Sequence, residues 1–298
     1  MTGNYLLQQI VNGLSLGSIY ALVAIGYSIV YGILRLINFA HGDILMIGVY
    51  AALFLGLALH APFTVTLVAA MVIAALIGMM VERVAYRPLR DTSEESTMIT
   101  SLAVSIFIEN LGIMTVTAQP RPFPVPKSLE VLHQLGPIQV ANINLLLFGV
   151  TVLLLIILTL FVTRTDLGIA MRACADNLNA ARLMGININS VVAAAFAVGS
   201  GLAAVAGIML AAQYGRIDPL MGFIPGLKAF VAAVIGGIGS LGGAALGGFV
   251  LGLAEILVVG LLPPAFSPYR DAFVFLILII VLLVKPSGLL GSGEGRRS

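Results

Sequence analysis

The chain has 298 residues, 60% of them hydrophobic and 9% charged, with a formal net charge of +2 and a mean hydropathy of +1.10. A soluble globule carries about 25% charged residues, so this chain cannot coat itself against water and is an integral membrane protein. Its basic residues are scattered over connections, which excludes a nucleic-acid footprint, and the single Cys174 excludes an intramolecular disulfide and reads as small loop filler rather than a redox or metal group.

Apolar runs cover residues 6–33, 44–59, 63–81, 98–116, 145–162, 191–212, 223–235, 244–262 and 272–284. At about 20 residues per span, they predict an all-α, polytopic fold of about eight to nine spans, several broken by glycine, in one transmembrane domain over 1–298. No basic residue precedes Arg35, so the first run is expected to stay as a span and not to be cleaved as a signal. Arg83, Arg87 and Arg90 share one connection, Arg164, Arg172 and Arg182 another, and Lys285, Arg296 and Arg297 follow the last run. The positive-inside bias makes these three regions cytoplasmic. Three crossings then precede Arg83, which puts the N-terminus outside and Arg35 inside. Parity requires 223–262 to enter and return as a hairpin or re-entrant element. The proline-rich segment 118–141 becomes an external loop.

Helices in lipid gain little from hydrophobicity when they associate, so small residues that admit close backbone approach mark their contacts. Gly13, Gly17 and Ala21 line one face of the first span, Gly199, Ala203, Gly207 and Ala211 one face of the sixth, and Gly248 with Gly252 continues the pattern. Two interruptions stand apart. Residues 37–43 place Asn38, His41 and Asp43 between apolar runs, and residues 236–243 do the same with Gly236, Gly237, Gly239 and Ser240. Freed backbone at membrane depth is tolerated only inside protein or beside water, so these residues are candidates for a transport path in an inverted-repeat architecture. Two tight cytoplasmic turns are the alternative.

Lys228 and Glu255 are the charges inside the 223–262 element. With its turn at Ser240–Leu241, Lys228 lies twelve residues before it and Glu255 fourteen after it, so both reach similar depth. A lone charge near the bilayer centre costs about 2.5–3.5 kcal/mol, which favours their forming a pair.

Residues 164–189, RTDLGIAMRACADNLNAARLMGININ, are the long polar break of the second half. They read as a short cytoplasmic helix with Asp176 as N-cap, an apolar contact surface of Ala180, Ala181, Leu183 and Met184, and Gly185 before Ile186 as left-handed stop. A helix this short is marginal alone, so the surface suits docking into a partner. An ordinary amphipathic loop helix is the alternative.

Asn179-Ala180-Ala181-x-x-x-Gly185 resembles the EAA loop of bacterial ATP-binding-cassette (ABC) importer permeases, with Asn179 where that family has Glu and without its Ile-x-Leu-Pro ending. Together with NGLSLGSIYALVAIGYSIVYGILRLINFAHGD, ERVAYRPLR, RACADNLNAARLMGIN, GLKAFVAAVIGGIGSLGGAALGG and VLLVKPSGLLG, nearly the whole chain resembles the permease subunit of high-affinity branched-chain amino acid importers. The resemblance implies a multi-pass protein of the bacterial cytoplasmic membrane that couples through Asp176, Asn179, Ala180, Ala181, Arg182, Leu183, Met184 and Gly185 to two ABC ATPase subunits. It also implies a paralogous permease subunit, a periplasmic or lipid-anchored amino-acid-binding protein, and no cofactor or catalytic residue. No Walker A pattern occurs in the sequence. Relatives on the same scaffold carry urea or amides, which leaves the substrate open. An ion-coupled secondary transporter would instead use intramembrane carboxylates such as Glu109 and Glu255. An intramembrane enzyme would need more than His41 and Asp43, which sit two apart and do not share a helix face, with His60 and His133 remote in connections.

Overall fold

The computed structural model describes residues 3–90 and 92–291; Arg296 and Arg297, used above for sidedness, lie outside the described residues. The main helices are α1 (Gly3–Leu34), α2 (His41–Leu59), α3 (Phe63–Val81), α4 (Glu94–Thr115), α5 (Lys127–Glu130), α6 (Asn142–Arg164), α7 (Asp166–Asp176), α8 (Leu178–Leu183), α9 (Ile188–Tyr214), α10 (Phe223–Gly236), α11 (Leu241–Leu261) and α12 (Arg270–Val284). A π-helical turn, Glu82–Tyr86, extends α3.

Seven of these helices, α1, α2, α3, α4, α6, α9 and α11, are long and apolar enough to cross a membrane, against the eight to nine expected. The shortfall is one of length: α10 has 14 residues and α12 has 15, about 21–23 Å of helix against a hydrocarbon core of about 30 Å. Segment 118–141 is more than a loop. It holds α5 and an antiparallel hairpin of β2 (Leu132–Leu135) and β3 (Ile138–Ala141), while β1 (Arg121–Pro122) pairs with β4 (Arg216–Ile217).

The centre of the bundle is built on glycine. An added Cβ at Gly17 would lie 2.8 Å from the Phe249 Cα, and one at Gly248 would strike the Ala21 backbone, so α1 and α11 run antiparallel at near backbone contact. Gly199 meets the Gly26 carbonyl, and Gly207 meets Leu45 and Val49, which locks α9 onto α1 and α2. As a result α1 and α9 are mostly enclosed, whereas α4 and α6 bury only one narrow face each, at Thr97, Ser101, Ser105 and Ile108 and at Ile143, Leu147, Thr151 and Leu158. That contrast is expected of helices packed on protein on one side and bathed by lipid on the other.

The two ends of the bundle differ. At one end Gln8 on α1 bonds to Gln139 in both directions, at 3.0 and 2.8 Å, and the Phe123 amide donates to the Gly215 carbonyl. At the other lie Arg35, the π turn, α7 and α8, and the link between α10 and α11. This link, residues 237–240, is a tight turn between antiparallel helices, with Gly237 and Gly239 at φ +105 and +93 and the Ser28 hydroxyl bonded to both the Gly239 amide and the Ser240 carbonyl. Residues 289 and 290 donate backbone bonds to Ile235 and Gly236, so the segment after α12 seals the same end.

Candidate functional site

Residues 35–40 are non-helical, and Arg35 takes φ +55, rare for a side-chain-bearing residue. The chain restarts at His41, and Asp43 in the first turn of α2 complements the helix dipole. Gly42 makes the restart possible: a Cβ there would collide with the Gly222 carbonyl, and one at Gly226 would lie 2.9 Å from the Gly42 Cα, so α2 and α10 begin against each other. Asn38, His41 and Asp43 are all enclosed. Tyr86 donates to Asn38 Oδ1 at 2.6 Å, and the His41 ring sits 4.5 Å from that of Tyr27. Asn38 Nδ2, His41 Nε2 and Asp43 Oδ2 have no hydrogen-bond partner among the described residues.

The residues expected along one path therefore divide. Asn38, His41 and Asp43 form an enclosed polar cluster, while Gly236, Gly237, Gly239 and Ser240 form the end turn. Both groups lean on the same level of α1, through Tyr27 and Ser28, but neighbouring residues of a helix face different directions.

A second polar cluster joins α1, α10, α11 and α12. Lys228 Nζ lies 2.7 Å from Glu255 Oε1 and 2.6 Å from Asp271 Oδ1. Tyr20 donates to Glu255 Oε2 at 2.8 Å, and Arg270 Nε lies 3.5 Å from both Glu255 Oε1 and Asp271 Oδ1. Lys228 and Glu255 are buried, while Arg270 and Asp271 stand at the surface of the chain, so two cations face two anions across the edge of the bundle. The pair seen in sequence is half of a four-charge network. Arg270 and Asp271 escaped notice because they sit at the edge of the last apolar run, and the fold-back of residues 262–269 that returns them to Lys228 has no periodic signature.

At the basic end, Thr165 accepts from the Gly168 amide at 3.1 Å and starts α7. The inward face of α7 is Gly168, Met171 and Cys174, so Cys174 is a packing residue and not loop filler, and burial pushes its thiol up. Asp176 is the last residue of α7 and caps nothing. Asn177 is the cap of α8: it is extended, at φ −153 and ψ 106, and its Oδ1 accepts from the Ala180 amide at 2.9 Å. An Asn in that backbone both stops one helix and starts the next.

Gly185 takes φ +84, and the amides of Ile186 and Gly185 donate to the carbonyls of Ala181 and Arg182, each at 3.1 Å, the bond pair of a Schellman closure. Ala181, read from sequence as part of the outward surface, is turned into the core. Outward go Ala180, Leu183 and Met184, spaced three and four residues apart on one face, with Leu183 and Met184 88% and 82% exposed. Asn179 and Arg182 are exposed beside them.

Two arginines bond to the helices on either side of this outward helix, one to α7 and one to α9. Arg35 Nη2 donates to the Ala175 carbonyl at 3.5 Å, and Arg90 Nη1 donates to Asn189 Oδ1 at 2.7 Å. Arg90 and Arg87 also clamp the fully buried Glu82, a carboxylate that sequence reading missed. Of the remaining ionisable residues, Glu109 is half-buried with no ion pair among the described residues, and His133 Nε2 bonds Asn142 Oδ1 at 2.7 Å in the hairpin. Among the described residues no three His, Cys, Asp or Glu could share a metal ion.

Residues 9–282 match the family model described as "Branched-chain amino acid transport system / permease component". The chain is 43% identical over 300 residues to the high-affinity branched-chain amino acid transport system permease protein BraD of Pseudomonas aeruginosa, covering 97% of this chain and 96% of that one. It is 42% identical over 303 residues to LivH of Escherichia coli, covering 97% of each. Among solved structures, PsaBC from Streptococcus pneumoniae in complex with a Fab matches 95% of this chain and 91% of that chain with a TM-score of 0.49 at 16% identity. A multi-pass bundle of apolar helices with this kinship belongs to the permease family of the branched-chain amino acid transport systems.

Proposed function

We propose that the chain is one of two membrane subunits of an ABC importer that passes leucine, isoleucine and valine across the cytoplasmic membrane. The observation that carries this reading is the exposed Ala180–Leu183–Met184 face, capped at both ends and flanked by α7 and α9, which Arg35 and Arg90 bond at Ala175 and Asn189, in a chain 43% identical to BraD over 97% of its length. Large apolar side chains held outward on a rigid helix at a basic end await a protein groove. That groove belongs to an ATPase subunit, one for each permease, and nucleotide-driven closure there pulls on α8 and, through its covalent links to α7 and α9, on the bundle.

Half a pore needs its other half, supplied by a paralogous permease, and a periplasmic or lipid-anchored binding protein delivers substrate at the end bearing the β2–β3 hairpin. The basic end, with segment 164–189, then faces the cytoplasm and segment 118–141 the outside. α10 and α12 add two shorter membrane segments to the seven long ones, which restores eight to nine within a single permease domain over 1–298. Asn38, His41 and Asp43 with the 236–240 turn are elements of the path that open as the helices rock. Co-expression with the two partner classes and reconstitution into liposomes tests the reading. ATP- and binding-protein-dependent uptake of leucine is expected; urea or amide uptake in its place would overturn the substrate class, and uptake driven by an ion gradient without ATP would overturn the mechanism.

A further inference from the structure

The four-charge network lies within the helical bundle, towards its Gln8 end. α1 and α6 run parallel, with Gln8 bonded to Gln139 just before α6 and Ser18 accepting from Thr151 within it. Thr151 is nine residues from Asn142 and thirteen from Arg164, so Tyr20 sits level with the middle of α6 and about 18 Å along α1 from Gln8. Glu255 meets the Tyr20 hydroxyl from α11, whose Leu253 and Gly260 pack on Gly13 and Gln9, so the charges lie between the Gln9 and Tyr20 levels of α1. There Lys228 and Glu255 have side chains 2% and 1% exposed, but Arg270 and Asp271 are 48% and 42% exposed at the surface of the chain. Ionised side chains within the bilayer do not face lipid; they face a wet cavity or other protein.

The unused atoms say which. Both ion contacts of Arg270 run through Nε and both contacts of Asp271 through Oδ1, which leaves Arg270 Nη1 and Nη2 and Asp271 Oδ2 uncommitted among the described residues. A guanidinium fork presents two parallel donors to a carboxylate, and a free carboxylate oxygen accepts from an ammonium. Side by side, they match the two charges of an α-amino acid. Phe266 and Tyr269, exposed on the short helix leading into α12, add apolar surface on the same segment.

We propose that Arg270 and Asp271, held in place by the buried Lys228–Glu255 pair, form an intramembrane subsite for the zwitterionic head of an amino acid in transit. The α-carboxylate lies on Arg270 and the α-ammonium on Asp271. The proposal rests on the amino-acid permease reading above and adds to it where inside the membrane the substrate is held.

The test uses the full importer in proteoliposomes with leucine. Ala272→Cys, placed in a Cys174→Ser background, keeps all four charges and should react with a small water-soluble methanethiosulfonate despite its depth. Leucine with its binding protein and ATP should slow that reaction. Arg270→Gln should assemble and retain ATPase activity stimulated by the binding protein while leucine uptake falls about tenfold or more, the loss expected of a charge-assisted contact. Asp271→Asn should shift uptake in the same direction. An unreactive Ala272→Cys, or reaction that leucine leaves unchanged, would mean that the partner permease covers this face or that substrate passes elsewhere, and would overturn the proposal; so would ATPase and uptake falling together in an assembled Arg270→Gln complex. Should Arg270→Gln fail to assemble, the Ala272→Cys labelling decides alone. Failure of the wild type to import leucine sinks the functional reading instead, a result distinguishable from either labelling outcome.

Discussion

The cluster around Lys228 and the cluster around His41 both bury polar side chains within one helical bundle, but they settle their electrostatics in opposite ways. Around Lys228, two cations and two anions are in mutual contact and Tyr20 closes the remaining Glu255 oxygen. Around His41 there is no ion pair, and Asn38, His41 and Asp43 each hold one enclosed polar atom without a partner among the described residues. The buried Lys228–Glu255 pair resists the loss of either member, because each loss strands a charge. An under-satisfied cluster has already borne that cost and gains whenever movement brings partners or water. The buried pair holds the bundle at a fixed point, and the second cluster is where the proposed transport cycle would find room to move.

The sharpest way to break this contrast is to remove one charge from the network. Lys228→Met leaves Glu255 and Asp271 with Arg270 alone, and stranding a buried carboxylate costs about 3–5 kcal/mol; the yield of folded permease, read by size-exclusion chromatography in detergent, should drop steeply. Glu255→Gln should cost less, since Lys228 keeps Asp271. The double variant Lys228→Met/Glu255→Gln leaves the neutral Arg270–Asp271 pair and should recover part of the loss. Strictly additive losses would mean that the two residues act separately.

How far this network was legible in sequence follows from what each residue's spacing encodes. Lys228 and Glu255 stand nearly equidistant from a glycine-rich turn, and a hairpin converts equal distance into equal depth. Arg270 and Asp271 return to that depth through an irregular segment and a 3-10 turn, for which hydropathy has no sign. Glu82 was lost for a related reason: it meets Arg87 and Arg90, five and eight residues on, across a π turn, and not at the three- or four-residue spacing of an α-helix. The glycine faces were legible because close packing in lipid requires small residues at helical intervals. At the docking helix, Gly185 could be read from its type, whereas the choice of Asn177 over Asp176 as cap was set by where α7 runs out, a tertiary matter.

The exposed helix α8, proposed above to dock on an ATPase, carries the next largest effect, on coupling rather than assembly. Gly185→Val places a β-branched residue at φ +84, at a cost of about 1–2 kcal/mol, and opens the closure that aims Leu183 and Met184. Membrane insertion should persist while ATPase activity and leucine uptake fall together. Unchanged coupled hydrolysis would remove α8 from the interface and with it the claim that the bundle is driven from this end.

The His41 cluster should show the reverse of the Lys228 result. His41→Phe and Asp43→Asn each remove an unsatisfied atom or a charge from an enclosed site, so folded yield should change by about 1 kcal/mol or less in equivalent stability. Uptake should change more than yield, as the proposed place of the cluster on the transport path requires. Equal changes in yield and uptake would make it an ordinary part of the core and erase the contrast.

The smallest perturbation concerns which way the two clusters face. Pro124→Cys and Thr92→Cys, each in a Cys174→Ser background, replace exposed residues at opposite ends of the bundle and should leave transport and yield at wild-type levels. In intact cells an impermeant maleimide should label Pro124→Cys and spare Thr92→Cys until the membrane is opened, because the arginines around Thr92 favour the cytoplasmic side. The Lys228 network would then lie less than about 18 Å below the outer, Gln8 end of α1, within reach of substrate released by a binding protein. The His41 cluster, which meets Tyr86 of the π turn through Asn38, would lie towards the ATPase. Reversed labelling would exchange those assignments, putting the charged subsite on the exit side of the membrane and the docking helix out of reach of any cytoplasmic ATPase.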